Sequence, residues 1–350
     1  MEENKFAPKG AWLTVNRECN FRCKWCYAQD SEYQGKDEMS LDLAKNLSHI
    51  ILDSGVKHAI LLGGEPTLWA PLLEFNDFAA QEGLGTTLVT NAYMFGVDSF
   101  WERYLKHANT QVSVSLKAFS PFQLFKTTGV KNFKTMKKGI ERAADLFRSS
   151  VGITYNSFYE NNLPDMVKFA MDCGYQSVKI DFCSPFFVGK QPTESYIVPL
   201  KKAVANIVRD YDKIVDITKG KVVFEINFPL CLWPRSFLNN LAEKNQIQTV
   251  CHVVKKQGLI FSTDGKLIMC NALFDYPLGT FGKEFQDAES LGNFMNSKEI
   301  SDYYKKVSCY PHEGCIKCNL YDKCAGGCPL RWISSGKDMK ELVQAQQEGR

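Results

Sequence analysis

No apolar run of about 18 residues occurs in this chain, so a membrane-crossing helix is not expected. The start, Met-Glu-Glu-Asn-Lys, is acidic and polar and lacks the shape of a secretory signal. Charge of one sign is scarce as well: 42 basic against 39 acidic residues leave a formal +3, with no block of like charges. A nucleic-acid-binding surface is therefore not expected. Histidine is rare at five residues, low-complexity segments are missing, and no repeat appears beyond an alternation of strand-like and helix-like segments. With 45% hydrophobic and 23% charged residues over 350 positions, the chain has the composition of an ordinary globular protein with a sizeable core.

What it has in excess is cysteine, 13 residues in all. Without an export signal these read as metal ligands in a cytoplasmic protein rather than as disulfides. Their clustering supports that. Cys19, Cys23 and Cys26 form C-x3-C-x2-C, three thiolates for one small centre and no obvious fourth. A four-iron cluster held by three cysteines keeps one iron open to another ligand. Eight more cysteines lie in residues 228–335, four of them as Cys315-x2-Cys318-x5-Cys324-x3-Cys328 followed by Pro329.

The first two-thirds alternates β-prone runs (Trp12–Val15, Ala59–Leu62, Thr86–Thr90, Val112–Leu116, Val151–Tyr155, Ser177–Phe182) with amphipathic stretches at 40–54, 70–82, 98–107, 132–149 and 162–173. A further helical stretch, 197–214, follows the sixth run. Six β-α repeats predict an α/β fold with a parallel sheet curved as part of a barrel, with chemistry at the C-terminal strand ends. After about residue 217 the alternation stops. Leu259–Cys270 reads as a hairpin turning at Thr263-Asp264-Gly265, inside a small domain held by metal clusters. The expected division is a barrel at 1–217, a bridge at 218–249, a cluster domain at 250–336 and a polar tail at 337–350.

The cysteine loop directly follows the first strand, and C-x3-C-x-aromatic-C, with Trp25 as the aromatic, resembles the signature of radical S-adenosylmethionine enzymes. In that family the open iron binds S-adenosylmethionine, whose reductive cleavage gives a 5′-deoxyadenosyl radical that takes hydrogen from substrate. The resemblance implies a partial (β/α)6 radical SAM barrel and makes Cys19, Cys23 and Cys26 the ligands of the catalytic [4Fe–4S] cluster. Gly63-Gly64-Glu65-Pro66 resembles the segment that contacts the methionine amino group. The physical logic agrees, since two glycines permit close backbone approach and Glu65 can accept from an ammonium. Tyr27, Asn91 and Ser115 are implied as further cofactor contacts. Lys117 stands where many relatives have aspartate, so it is either a solvated edge lysine or a partner of the cofactor carboxylate.

The tail, Cys251-x13-Gly265-x4-Cys270 and then the four-cysteine run, resembles the SPASM extension, which holds two auxiliary [4Fe–4S] clusters. A zinc ribbon is the competing reading. By resemblance Cys251, Cys270 and Cys328 hold the first auxiliary cluster, and Cys315, Cys318 and Cys324 the second. The pattern's last cysteine is missing here. Cys231 is offered as completing the first cluster and Cys309 the second. Cys173 reads as a small buried hydrophobe, Cys183 as that or a hydrogen donor, and His252 and His312 as neighbours of cluster ligands.

These features imply a radical enzyme modifying a peptide or protein side chain, as in maturation of ribosomally made peptides. It would be served by an electron donor such as flavodoxin or ferredoxin. Because the barrel starts by about residue 11, leader recognition would need a separate leader-peptide-binding protein. The alternatives are an anaerobic sulfatase-maturing enzyme, disfavoured because Asn271 rather than aspartate follows Cys270, and a radical enzyme acting on a small molecule or tetrapyrrole. From other classes come a multi-cluster electron carrier and a zinc-stabilised binding module.

Overall fold

The structure, a computed structural model, describes residues 5–28, 36–188, 191–249, 251–252, 255–307 and 313–334. At its centre is an eleven-stranded sheet. The six expected strands are β1 (Gly10–Asn16), β2 (His58–Gly63), β3 (Gly85–Thr90), β4 (Gln111–Leu116), β5 (Ser149–Tyr155) and β6 (Val178–Phe182), each paired in parallel with its neighbour in sequence. Parallel neighbours require crossovers. These are α1 (Leu41–Asp53), α2 (Leu72–Gln81), α3 (Asp98–Tyr104), α4 (Pro121–Thr128), α5 (Phe133–Ala144) and α6 (Leu163–Asp172), with α7 (Leu200–Thr218) after β6. This is the α/β arrangement around a parallel sheet that the sequence predicts.

Alternation along the strands sorts the two faces of the sheet. On β4 to β6, Val112, Val114, Val151, Ile153, Val178, Ile180 and Phe182 are buried in the core beneath the helices. The intervening residues face the concave lumen: Ser113, Ser115, Gly152, Thr154 and Asp181 are half-buried and Lys179 is exposed. The polar lumen wall and the apolar outer wall thus come from one period-2 pattern.

Helix α4 was not expected, because eight residues are too few for a convincing period. Its signals are local: Ser120 Oγ accepts from Gln123 N–H, Pro121 occupies the first turn, and Gly129 ends it at φ 77, where a side chain would be strained. After β6 comes a small hairpin, β7 (Phe186–Val188) and β8 (Gln191–Thr193).

Two differences from the expected domain division concern the sheet itself. The stretch 218–249, read as a bridge, supplies β9 (Val222–Glu225) beside β6 and β10 (Ile247–Gln248) beyond it, both parallel. The expected hairpin forms as β11 (Gly258–Phe261) and β12 (Lys266–Ile268), followed by the antiparallel β13 (Pro277–Thr280). Instead of standing apart, β11 pairs in parallel with β1, Gly10 opposite Gly258. β1 has only one neighbour within the barrel, and an open edge strand takes whatever strand the chain can deliver to it. Among the described residues, no helix is long and apolar enough to cross a membrane.

Candidate active site

The cysteine loop leaves β1 at the C-terminal rim of the sheet and is pinned from two sides. The N–H groups of Arg22 and Lys24 donate to the carbonyls of Thr128 (3.0 Å) and Thr127 (3.1 Å). These belong to the last turn of α4, where helical carbonyls have no partner within the helix. Asn91, at the end of β3, donates through Nδ2 to Asn20 Oδ1 (2.7 Å). Trp25 packs edge-on against Tyr159 (5.4 Å between centroids), and the Tyr159 hydroxyl donates to the Lys117 carbonyl. The loop is therefore tied to the ends of three strands before any cofactor binds.

Within it, Cys19, Cys23 and Cys26 are close enough to influence one another electrostatically. Burial, then Glu65, pushes the Cys19 thiol up to about 12. Burial also pushes Cys23 up to about 11, while the Lys117 ammonium pulls it back. Among the described residues no three histidine, cysteine, aspartate or glutamate side chains close on a single ion. Three soft sulfur donors, without imidazole or carboxylate, are a set suited to iron–sulfur ligation. They fit a [4Fe–4S] group with one iron left for another ligand, and they would bind it as thiolates, the metal displacing the protons.

Beside the loop lies the Gly63-Gly64-Glu65 turn. A Cβ on Gly63 would stand 2.3 Å from the Asn16 carbonyl oxygen, and one on Gly64 2.2 Å from that of Glu18. Gly64 N–H donates to the Asn16 carbonyl and Glu65 N–H to that of Glu18, both at 2.8 Å. Glycine is required here by contact between two backbones.

Glu65 is where the sequence predicts, but its carboxylate is largely engaged. Oε1 accepts from Thr67 N–H (3.2 Å), Thr67 Oγ1 (2.6 Å) and Thr90 Oγ1 (2.5 Å), and Oε2 from Asn91 N–H (2.8 Å). Burial raises its pKa and these donors hold it down. The residue is 1% exposed. Its expected role as acceptor for an ammonium shrinks to the free side of Oε2, while its evident role is to lock the end of β2 to the end of β3. Glu65→Gln places an amide N–H2 among donors and should cost about 1–3 kcal/mol for each donor left unpaired. A fall in thermal midpoint is the expected result; an unchanged midpoint would show that the carboxylate is not the lock. Asn91, also expected at the cofactor, is likewise engaged, its Oδ1 accepting from Tyr93 N–H (2.9 Å).

Lys117 Nζ donates to Ser115 Oγ (2.6 Å) and sits 5.9 Å from the centre of the Trp25 ring. With its influence on Cys23, this places the ammonium beside the cysteine loop, so the solvated-edge reading does not hold. Tyr27 stacks on Phe274 (5.9 Å), and Arg17 covers the same ring at 4.0 Å. The Tyr27 hydroxyl, its pKa raised by burial, feels both Cys26 and Cys270. Tyr27 therefore stands between the front cysteines and those of the tail. Nothing in the sequence marks Arg17 and Phe274 for this junction; an arginine following a strand and an aromatic four residues past a cysteine are too common to read.

The tail cysteines gather in two sets. Burial pushes Cys270 up to about 12, with Cys328 and Cys251 adding to it. The structure thus brings together Cys251, Cys270 and Cys328, residues separated by nearly the whole C-terminal region. Cys315, Cys318 and Cys324 follow one another along a short 3-10 turn, Glu313–Lys317, and a one-turn helix, Tyr321–Cys324. Cys231, expected with the first set, instead directly follows Leu230, whose N–H donates to Cys324 Sγ (3.3 Å). That contact brings the backbone next to Cys231 against Cys324. The segment around it is held closely: Cys328 N–H donates to the Asn227 carbonyl (2.7 Å), and Arg331 Nη2 to Asn227 Oδ1 and to the Cys183 carbonyl, both at 2.8 Å. Cys309 and His312 lie outside the described residues. Burial pushes Cys173 and Cys183 up to about 11; both are enclosed, Cys183 beside Arg331 and Cys173 apart from either cysteine set.

Residues 13–172 match the Radical SAM superfamily model. Curated relatives include a protein named GTP 3′,8-cyclase from Mannheimia succiniciproducens, 31% identical over 157 residues, which are 44% of this chain and 45% of that protein. Another, named probable GTP 3′,8-cyclase, from Methanococcus maripaludis, is 26% identical over 209 residues, 55% of this chain and 65% of the relative. The chain thus spans about half to two-thirds of the length of the curated relatives it matches. Among solved structures, Streptococcus suis SuiB bound to S-adenosylmethionine superposes with a TM-score of 0.69 at 16% identity, covering 98% of this chain and 79% of that one. The structure titled native anSMEcpe with bound AdoMet gives 0.70 at 15% identity, covering 98% and 95%. At such identities these two speak for the fold alone. The expectation of a peptide or protein side chain as substrate is corrected by the curated relatives, which are named for a nucleotide. Cysteine spacing and strand-end motifs carry the cofactor chemistry common to radical enzymes and say nothing of what the radical attacks.

Proposed function

We propose, from the radical S-adenosylmethionine domain formed by residues 13–172, that this chain takes a hydrogen atom from a small-molecule substrate. Bound at Cys19, Cys23 and Cys26, a [4Fe–4S] cluster with S-adenosylmethionine on its open iron would supply a 5′-deoxyadenosyl radical on one-electron reduction. The observation that carries the reading is the three-thiol loop lying against the Gly63-Gly64 turn at the mouth of the barrel. The residues act by position. Gly63 and Gly64 let the cofactor-side backbone approach the loop, Glu65 fixes that turn, and Lys117 offers a cation to the cofactor carboxylate from beside Cys23. The small-molecule class rests on the curated relatives' names.

The finer reading keeps two auxiliary clusters, the first on Cys251, Cys270 and Cys328, the second on Cys315, Cys318, Cys324 and Cys231. The barrel would then be one functional unit and the cysteine-rich region after β10 another, with Tyr27 and Phe274 between them. A small ferredoxin or flavodoxin is the expected reductant.

The test is anaerobic reconstitution, reduction and addition of S-adenosylmethionine, with 5′-deoxyadenosine as the readout. Formation of 5′-deoxyadenosine is expected. Its absence both alone and with small-molecule candidates, GTP among them, would refute the proposal. Iron and sulfide analysis checks the auxiliary clusters: about twelve irons per chain are expected for three four-iron clusters. Stoichiometric zinc with little iron would favour the binding-module reading instead.

A further inference from the structure

The lumen wall opposite the front cysteines carries charges that the proposed radical chemistry has not used. Strand register aligns Ser115, Gly152, Lys179 and Val223 across β4, β5, β6 and β9. Two residues nearer the rim, it aligns Thr154, Asp181 and Glu225. Lys179 Nζ pairs with Glu225 and lies 3.4 Å from Asp181 Oδ1. One ammonium faces two carboxylates, so one negative charge is left over unless a proton is held between them. Beyond that ion pair, the enclosed Oδ1 atom of Asp181 has no polar partner among the described residues.

Beside this group the wall is bare. A Cβ on Gly152 would meet only Asp181 Oδ2 at 3.9 Å and the Lys179 carbonyl at 4.0 Å. There is therefore room between Ser115 and Lys117 on one side and Asp181 on the other. The side chains of Lys179, Asp181 and Glu225 are 45, 35 and 38% exposed, so a small molecule in the lumen can reach them.

We propose that Lys179, Asp181 and Glu225 form a substrate-binding site on the lumen wall for an amino or hydroxyl group, a hydrogen-bond donor and not a phosphate. This rests on the reading of the lumen as the place where a small molecule meets the radical. The leftover carboxylate charge attracts an ammonium or accepts from hydroxyls. It repels a phosphate, because the nearest cation is already paired twice. A nucleotide using this site would present its base or sugar here and keep its phosphates elsewhere. Protonation fits the same role. Burial, then the Glu225 charge, raises Asp181 to about 7 against the pull of Lys179. Burial lowers the pKa of His252, and the Glu225 charge works against that shift. An ammonium ligand should therefore bind more tightly as pH rises through about 7 and Asp181 loses its proton.

The probes are radiolabelled ethanolamine, an ammonium with a hydroxyl, and inorganic phosphate, in equilibrium dialysis with anaerobic holoenzyme. Expected are saturable ethanolamine binding that strengthens from pH 6 to 8 and no saturable phosphate binding. Loss of one charge-assisted hydrogen bond corresponds to a drop of about tenfold in ethanolamine affinity for Asp181→Asn or Glu225→Gln. Gly152→Leu, which fills the space and leaves the carboxylates intact, should lose binding as well; circular dichroism confirms that each variant is folded. Equal ethanolamine binding by wild type and all three variants, no saturable ethanolamine binding by wild type, or phosphate binding abolished by Lys179→Met, would overturn the proposal. Deoxyadenosine formation by the wild type is scored separately, so failure of the radical reading and failure of this site are distinguishable.

Discussion

Gly64→Ala should abolish 5′-deoxyadenosine formation and prevent the front cluster from assembling. An alanine Cβ at that position would stand 2.2 Å from the Glu18 carbonyl oxygen, 2.4 Å from that of Arg17 and 2.6 Å from the Glu18 carbonyl carbon. All three atoms are backbone, so no side chain can swing away. Overpacking of this kind costs typically about 1–3 kcal/mol in a core, and here relief requires moving the residue that precedes Cys19. The hydrogen bond from Glu65 N–H to the Glu18 carbonyl, at 2.8 Å, would be strained by the same shift. Gly292→Ala is the contrasting variant: it lies within the helix Ala288–Met295, and a Cβ there meets nothing within 4 Å. Alanine favours a helix over glycine by about 1 kcal/mol, so this variant should be neutral or slightly stabilised and fully active. Iron content after reconstitution and deoxyadenosine yield measure both. An active Gly64→Ala enzyme would mean that the two backbones do not meet as described.

Cys23→Ala should eliminate deoxyadenosine formation while leaving the iron of the tail in place. Of the three front cysteines it is the most enclosed, at 9% exposure, and it lies under the direct influence of Lys117. Its loss leaves two thiols, too few to hold the cluster against exchange. The tail sets are built on other segments, so electron paramagnetic resonance of the reduced variant should retain the auxiliary signals and lose one component. Cys173→Ala makes the comparison informative. That thiol is equally enclosed but packs in the core behind α6, and its removal should leave every signal intact. Loss of all iron from Cys23→Ala would show that the three centres assemble as one unit.

The parts of the site legible in the sequence were those written over short distances. Cys19, Cys23 and Cys26 fall within eight residues, and each of the six barrel strands carries its own period. Gly63 and Gly64 were readable because glycine pairs signal close approach wherever they occur. The engagement of Glu65 was not, because a strand-end motif does not say which other strand end it serves. Asp181 was not legible as part of a site, since Lys179 marks it only if the strand is known to face the lumen, and Glu225 lies 44 positions later on a strand within the expected bridge. β9 and β11 were missed as members of the sheet for the same reason: two- to four-residue strands leave a weak period, and parallel partners can be delivered from anywhere in the chain. The substrate class was out of reach because no motif in the sequence records it.

The pairing of Gly10 with Gly258 also has a consequence for synthesis on the ribosome. One edge of β1 waits for a partner made roughly 250 residues later, a separation that slows folding. Until then the strand leading into Cys19 is held only by β2. The nascent barrel therefore exposes an unpaired edge next to three thiols until that partner is made. Metal insertion at the front loop is best timed after β11 has closed that edge and Phe274 has arrived against Tyr27.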